Sequence, residues 1–315
     1  MKSFISLGAL AAVLLITPPA QAGLAVVGNE NSGTISLIDT ARDEVVGEIK
    51  TGGKPRGAAI DAARKLAYVS DQPANALLVV DLERRTVAKK IDLGESPEGV
   101  YISRDGAMVA AAVELTNSVA FIDTASDAVA FRVKIKGENP EHAVFSPDGR
   151  FVYVSAEEDN KVDVIDVAAR QLVTELTVGA RPRGIAFTPD GAKAYVACER
   201  ADTVYVIDAR AHQILRTIKA GVRSNGLVMH PDGTRVYLTN GGDANVMVID
   251  TAADKVVATI PVGQRPWNMA LTGDGAKLYV ANGRSDSVSV IDTAKNTRIK
   301  DIPVGKTPWG VAILN

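Results

Sequence analysis

Seven positions, spaced 42 residues apart with one step of 43, change in chemistry while their surroundings repeat: Arg56, Glu98, Glu141, Arg183, Asn225, Trp267 and Trp309. Each stands third in a segment of the form x-Pro-x-Gly, although Ser224 replaces the proline of the fifth copy and His142 the glycine of the third. These side chains suit recognition. A guanidinium holds a carboxylate through two parallel hydrogen bonds, and indole joins a large apolar face to one donor. A second recurring set reads Glu30, Gln72, Glu114, Glu157, Glu199, Gly241 and Gly283. Its glycines fall in the units nearest the two tryptophans, so a groove is expected there. A plainer arrangement pairs Arg56 and Arg183 with Glu98 and Glu141 in solvated ion pairs of little energetic weight, with the indoles as a plug. Glu98, Glu141 and His142 are also groups that acid–base chemistry at an ester or lactone would use.

The elements that must carry these residues follow from the same period. A Val/Ile-rich tripeptide ends at Asp39, Asp81, Asp123, Asp166, Asp208, Asp250 and Asp292. Seven units of this length account for residues 23–315. Within residues 181–220, Gly184–Thr188, Ala194–Ala197, Thr203–Ile207 and Ile214–Ile218 read as four short strands, with β-branched residues enriched. Pro189-Asp190-Gly191 and Asp208-Ala209-Arg210 read as the turns between them. Four antiparallel strands per unit describe a propeller blade. The expectation is an all-β, seven-bladed β-propeller forming one domain over 23–315. Leu24–Val27 aligns with the second strand of a unit and Gly310–Leu314 with the first, so both chain ends are expected to pair in one closing blade. Alternating strand direction puts the seven variable positions and the second set on one face, the top, around the channel mouth. His212 and His230 fall in turns of the opposite face.

Composition bounds the function classes. Of 315 residues 46% are apolar and 23% charged, with a formal charge of −2, which fits a globular domain and argues against a nucleic-acid binder. One cysteine, Cys198, excludes an intramolecular disulfide, and with three histidines it argues against a zinc site. Residues 1–22 carry a lysine, an apolar stretch and an Ala-Gln-Ala end, the pattern of a cleaved signal peptide. The expectation is therefore an exported, periplasmic monomer with no membrane span. The acidic set invites a hard cation such as Ca²⁺, but no loop concentrates oxygen ligands, and no metal is expected. Patterns for a serine elbow, a phosphate loop, a dinucleotide fingerprint and a zinc protease are all missing.

Tyr68-Val69-Ser70, Tyr153-Val154-Ser155, Tyr237-Leu238-Thr239-Asn240 and Tyr279-Val280-Ala281-Asn282 resemble the YVTN repeat. SPDG at 146–149, VIDTA at 248–252 and IPVG at 260–263 belong to the same pattern. The chain thus resembles the YVTN-repeat β-propeller family over all seven units. In length and in its paired Pro-Trp motifs it is most similar to the β-propellers associated with PQQ-dependent catabolism. That resemblance implies an accessory role beside a periplasmic quinoprotein dehydrogenase system and supplies no catalytic residues. The reading is a non-enzymatic propeller that binds a partner protein or small ligand through Arg56, Glu98, Glu141, His142, Arg183, Asn225, Trp267 and Trp309. PQQ itself, a planar tricarboxylate, would match two arginines and two indoles. The alternatives are a hydrolase or lactonase at the channel mouth and a haem-binding chaperone using His142.

Overall fold

A computed structural model describes residues 23–315; the expected signal peptide lies outside the described residues. Seven four-stranded antiparallel sheets make up the fold, numbered here as blades in chain order. Blade 1 has the order β28-β1-β2-β3, so the C-terminal strand β28 (Pro308–Leu314) pairs with β1 (Leu24–Asn29) and closes the ring. The remaining blades begin at inner strands β4 (Pro55–Asp61), β8 (Pro97–Ile102), β12 (Pro140–Phe145), β16 (Pro182–Phe187), β20 (Ser224–Met229) and β24 (Pro266–Leu271). The expected seven-bladed architecture and its closure are both observed. Strands run one or two residues longer than the apolar pattern marks, because turn-facing polar residues also pair. Among the described residues no helix is long and apolar enough to cross a membrane.

The repeated residues have local reasons. The aspartate ending each third strand accepts turn N–H groups: Asp39 Oδ1 takes those of Ala41 and Arg42 at 2.9 and 3.0 Å. The fourth residue of such turns lies in the left-handed region, as at Asp43, Asp127 and Asp254. The second strands are buried on both faces, and the largest fully buried side chains are their tyrosines, Tyr68, Tyr153, Tyr195, Tyr237 and Tyr279. They pack in the clusters between neighbouring blades, Tyr68 for instance against Val100, Val109 and Ala111 of blade 3. Four of these hydroxyls hydrogen-bond to the next blade's turn on the bottom face, and that of Tyr237 is buried without a partner. Tyr68 donates to Asp127 at 2.5 Å, Tyr195 to Asp254 at 2.6 Å and Tyr279 to Asp43.

Each inner strand carries an irregularity of the same kind. Pro55 pairs with Asp71 and Ala58 with Val69, so Arg56 and Gly57 together face one residue, Ser70. Register shifts recur at Pro97/Val100, Pro140/His142, Pro182/Ile185, Ser224/Leu227 and Pro266/Met269, and β1 shifts against β28 beside Trp309. A bulge of this kind breaks the alternation of side chains and re-aims one of them. The seven variable residues are the bulged ones.

Candidate functional site

Hydroxyls pin three of the bulges. The Gly57 N–H donates to Ser70 Oγ at 3.0 Å, and that hydroxyl donates to the Glu98 carbonyl at 2.6 Å. The Gly226 N–H donates to Thr239 Oγ1, which donates to the Trp267 carbonyl at 2.6 Å. The His142 N–H uses Ser155 at 3.1 Å. The hydroxyls of Ser70 and Thr239 thus tie the bulges of Arg56 and Asn225 to Glu98 and Trp267 in the next blade. The following glycine permits the close approach. A Cβ on Gly57 would lie 2.6 Å from the Glu98 carbonyl oxygen, and one on Gly226 would lie 2.4 Å from that of Trp267. Two copies lack this glycine, His142 and also Asn268, which the sequence reading did not single out.

On the top face these bulges surround a basin of about 460 Å³ lined by Arg56, Glu98, Glu141, Arg183, Asn225, Trp267 and Trp309, with Glu30, Gln72, Glu114 and Glu157 from the second set. Arg181 and Arg265 line it too. Both have positive φ, 59° and 53°, but so does the exposed Arg223 at the same place in the repeat (57°), so it is their carboxylate partners Glu157 and Glu199 that hold them inward. The signal for them was present in the Arg-Pro-Arg and Arg-Pro-Trp tripeptides.

The arginines are occupied. Arg56 Nη1 meets Glu98 at 2.5 Å and its Nη2 meets Glu30 at 3.2 Å. Arg183 meets Glu141 at 2.5 Å, Glu199 at 2.9 Å and also Glu157. Arg181 reaches Glu157 at 2.8 Å, and Arg265 reaches Glu199 at 2.7 Å. The expected pairing of Arg56 and Arg183 with Glu98 and Glu141 is present, but these pairs are not solvated: the Arg183 side chain is 11% exposed and that of Glu98 1%. Buried charges of one sign compete for the same guanidinia, with clear consequences. Burial, then the charge of Glu141, pushes Glu157 up to about 9. Burial and Glu141 likewise hold Glu98 up at about 8 against Arg56. Glu141 itself, despite burial, is drawn down to about 2 by Arg183. Glu199 is lowered too, with Arg183 and Arg265 outweighing its burial.

The glycines of the second set do not leave a groove. The Trp267 ring lies over Gly283, where a Cβ would come within 2.3 Å of it, and the Arg265 guanidinium lies over Gly241. The glycines are the floor on which these two side chains rest. Trp309 is 6% exposed, stacked on His142 at 6.0 Å and 16° on one side and approached by Arg56 at 6.0 Å. Its faces are taken up inside the protein, so Trp267 is the more accessible indole. His142 sits beneath the basin at 1% exposure. Its Nδ1 is hydrogen-bonded to the Tyr101 hydroxyl at 2.6 Å, its Nε2 is buried without a partner, and burial lowers its pKa to about 4. Cys198 is fully buried, its thiol pushed up to about 12 by burial, and it packs in an interblade cluster. Among the described residues no three His, Cys, Asp or Glu side chains converge as a metal site.

Fold and site together define a seven-bladed β-propeller with a polar basin at one end of its channel. The family model described as "Lactonase, 7-bladed beta-propeller" matches residues 169–302, and that of the "Cytochrome D1 heme domain" matches residues 113–221; each spans less than half of the chain. No curated protein matches. Among solved structures, the chain is similar to Kuenenia stuttgartiensis hydrazine synthase, with a TM-score of 0.80 at 23% identity over 88% of this chain and 94% of that one. A functionally unknown protein from Desulfotomaculum acetoxidans DSM 771 gives a TM-score of 0.82 at 18% identity, covering 93% of this chain and 99% of that one. Dihydro-heme d1 dehydrogenase NirN in complex with DHE gives 0.68 at 15% identity, covering 94% of this chain and 75% of that one. At these identities the likeness is one of fold.

Proposed function

We propose that this propeller is a binding protein whose top-face basin receives a small ligand or the tip of a partner protein, without chemistry of its own. One observation carries the reading: the positions freed to vary in an otherwise regular repeat are the bulged residues, and all seven open onto one basin of about 460 Å³. A basin of this size suits a small molecule. The N-terminal pattern of residues 1–22 directs it to the periplasm, and the resemblance to propellers of PQQ-dependent catabolism sets it beside quinoprotein alcohol oxidation. Trp267→Ala removes the accessible indole and leaves every ion-pair partner in place, at the loss of the ring that Arg265 approaches at 5.9 Å. The tagged protein and this variant are compared for capture of ligands and proteins from the native periplasm. Binding reduced at least ~10-fold, with an unchanged far-UV spectrum, is expected; undiminished capture rejects the basin.

A second reading is a lactone hydrolase. It is favoured by the lactonase match over 169–302, the segment that contains Arg183, Glu199, Arg265 and Trp267. Glu199, between Arg183 and Arg265, and Glu141, on Arg183, are both tied to guanidinia, so the neutral His142 is the base to test and Glu141 the charge beside it. Turnover of a lactone or ester, abolished in Glu141→Gln or His142→Ala, supports the hydrolase, and silence across both classes rejects it. Haem binding through His142, which lies within the cytochrome D1 haem domain match, would require Trp309 and Tyr101 to release the ring. An absorbance titration with haem decides that case.

A further inference from the structure

We infer that the bottom face carries a second binding site, apart from the top-face basin, that takes a small organic polyanion between Arg104, Arg150 and Arg210. These three arginines stand in turns of blades 3, 4 and 5 and line one cavity of about 330 Å³, a volume that suits a small molecule.

The repeat itself supplies the control. At the place of Arg104 the other turns carry Ala62, Pro147, Pro189, Pro231 and Gly273. At the place of Arg210 they carry Ala41, Glu83, Ala125, Ala168, Ala252 and Ala294. At the place of Arg150 they carry Ala107, Ala192, Thr234 and Ala276, and the one other basic residue there, Lys65, is paired with Glu83. Turn geometry therefore asks for none of these arginines. Three separate departures from the repeat, in three blades, meet at a single cavity.

Their charges are also uncommitted. Three other turn arginines of this face fold onto the aspartates of their own turns: Arg42 lies 2.9 Å from Asp39, Arg64 2.6 Å from Asp61 and Arg84 3.7 Å from Asp81. Among the described residues, Arg104, Arg150 and Arg210 make no such pair. The Arg150 guanidinium lies over the Phe151 ring at 4.8 Å, and that of Arg210 reaches the Asp190 carbonyl at 3.4 Å.

The two carboxylates of the cavity, Asp148 and Asp190, belong to the repeat and are bound into their own turns. Asp148 Oδ1 accepts from the Ser146 hydroxyl at 2.6 Å and the Arg150 N–H at 3.1 Å. Asp190 Oδ1 accepts from the Thr188 hydroxyl at 2.7 Å and the Ala192 N–H at 3.0 Å. The lining keeps a positive surplus, and free guanidinium forks suit the paired oxygens of a carboxylate or phosphate group. Phe151, Pro147 and Pro189 add an apolar wall for an organic body. Guanidinia contributed by three blades favour a ligand with more than one negative charge over a monovalent ion.

Citrate, phenyl phosphate, acetate and putrescine serve as probes, read by calorimetry on the intact protein near neutral pH. Citrate or phenyl phosphate is expected to bind at least ~10-fold tighter than acetate, and to weaken as salt is raised. The better of the two assigns the site to carboxylates or to phosphate. Arg150→Ala and Arg210→Ala restore the residue of neighbouring blades. Each is expected to weaken binding ~3- to 10-fold with an unchanged melting temperature. Adding Arg104→Ala to both is expected to abolish the preference over acetate. Trp267→Ala, in the top-face basin, is expected to leave that preference intact. Polyanion affinity no better than that of acetate, tighter binding of putrescine, or full affinity in the triple variant overturns the inference. Affinity lost in Trp267→Ala and kept in the arginine variants puts the anion in the top-face basin and overturns it as well.

Discussion

Glu141 and Glu157 face the same guanidinium, and Arg183 cannot neutralise both. One is held ionised and the other keeps a proton, which makes Glu157 a group whose folded pKa, about 9, lies above its ordinary 4.5. The native state then binds more protons than the unfolded chain between those values, so stability falls as pH rises through that window. His142, lowered to about 4 from 6.5, acts in the opposite sense as pH falls below 6.5, because its unfolded form takes up a proton first. Above pH 7 it is neutral in both states, so the carboxylates dominate. The melting temperature is expected to decline from pH 7 to 9 in the wild type and to decline less in Glu157→Gln, as read by differential scanning calorimetry. An equal slope in the two proteins would show that Glu157 is ionised throughout. Trp309→Ala, which empties a buried site between His142 and Arg56, is expected to cost ~3–5 kcal/mol, far more than Trp267→Ala, whose ring is partly exposed. Urea denaturation of the two variants checks the difference.

Blade elements join through hydroxyls more than their apolar patterning suggests. Tyr195, fully buried as a ring, donates to the Asp254 carboxylate of the following blade, which also takes Lys193 at 3.0 Å. Tyr195→Phe leaves the packing intact and removes a hydrogen bond to a charged group, so a loss of ~1.5–3 kcal/mol is expected in chemical denaturation. A cost within ~0.5 kcal/mol would mean the latch adds little to the interblade packing. What was legible in the sequence at this scale is instructive. The 42-residue period, the turn aspartates and the strand order could be read because each depends on local chemistry repeated seven times. The bulge could not be read, since it is a relation between two strands, although its trace, a variable residue that follows proline in six of the seven copies, was in plain view. Arg181 and Arg265 escaped notice because their place depends on carboxylates of other loops, Glu157 and Glu199, whereas Arg223 at the equivalent position stays exposed. The glycines Gly241 and Gly283 read as open space, whereas side chains from neighbouring loops fill it.

At the scale of the molecule, closure is the feature that makes a single body of seven sheets. β28 pairs with β1 from Leu24↔Leu314 to Asn29↔Pro308, and Tyr279 and Lys277 of blade 7 meet Asp43 of blade 1 on the bottom face. Removing residues 308–315 strips the inner strand from blade 1 and leaves β1 as an uncovered edge. That truncation is expected to lose cooperative unfolding and to aggregate; a monomer with an unshifted melting transition would show that the ring holds without its clasp. The clasp also bears Trp309, which roofs His142 and lines the basin. Assembly and ligand capacity therefore mature together: a chain whose two ends have not met has no finished receptacle, and whatever occupies the finished one rewards the joined state over the open one.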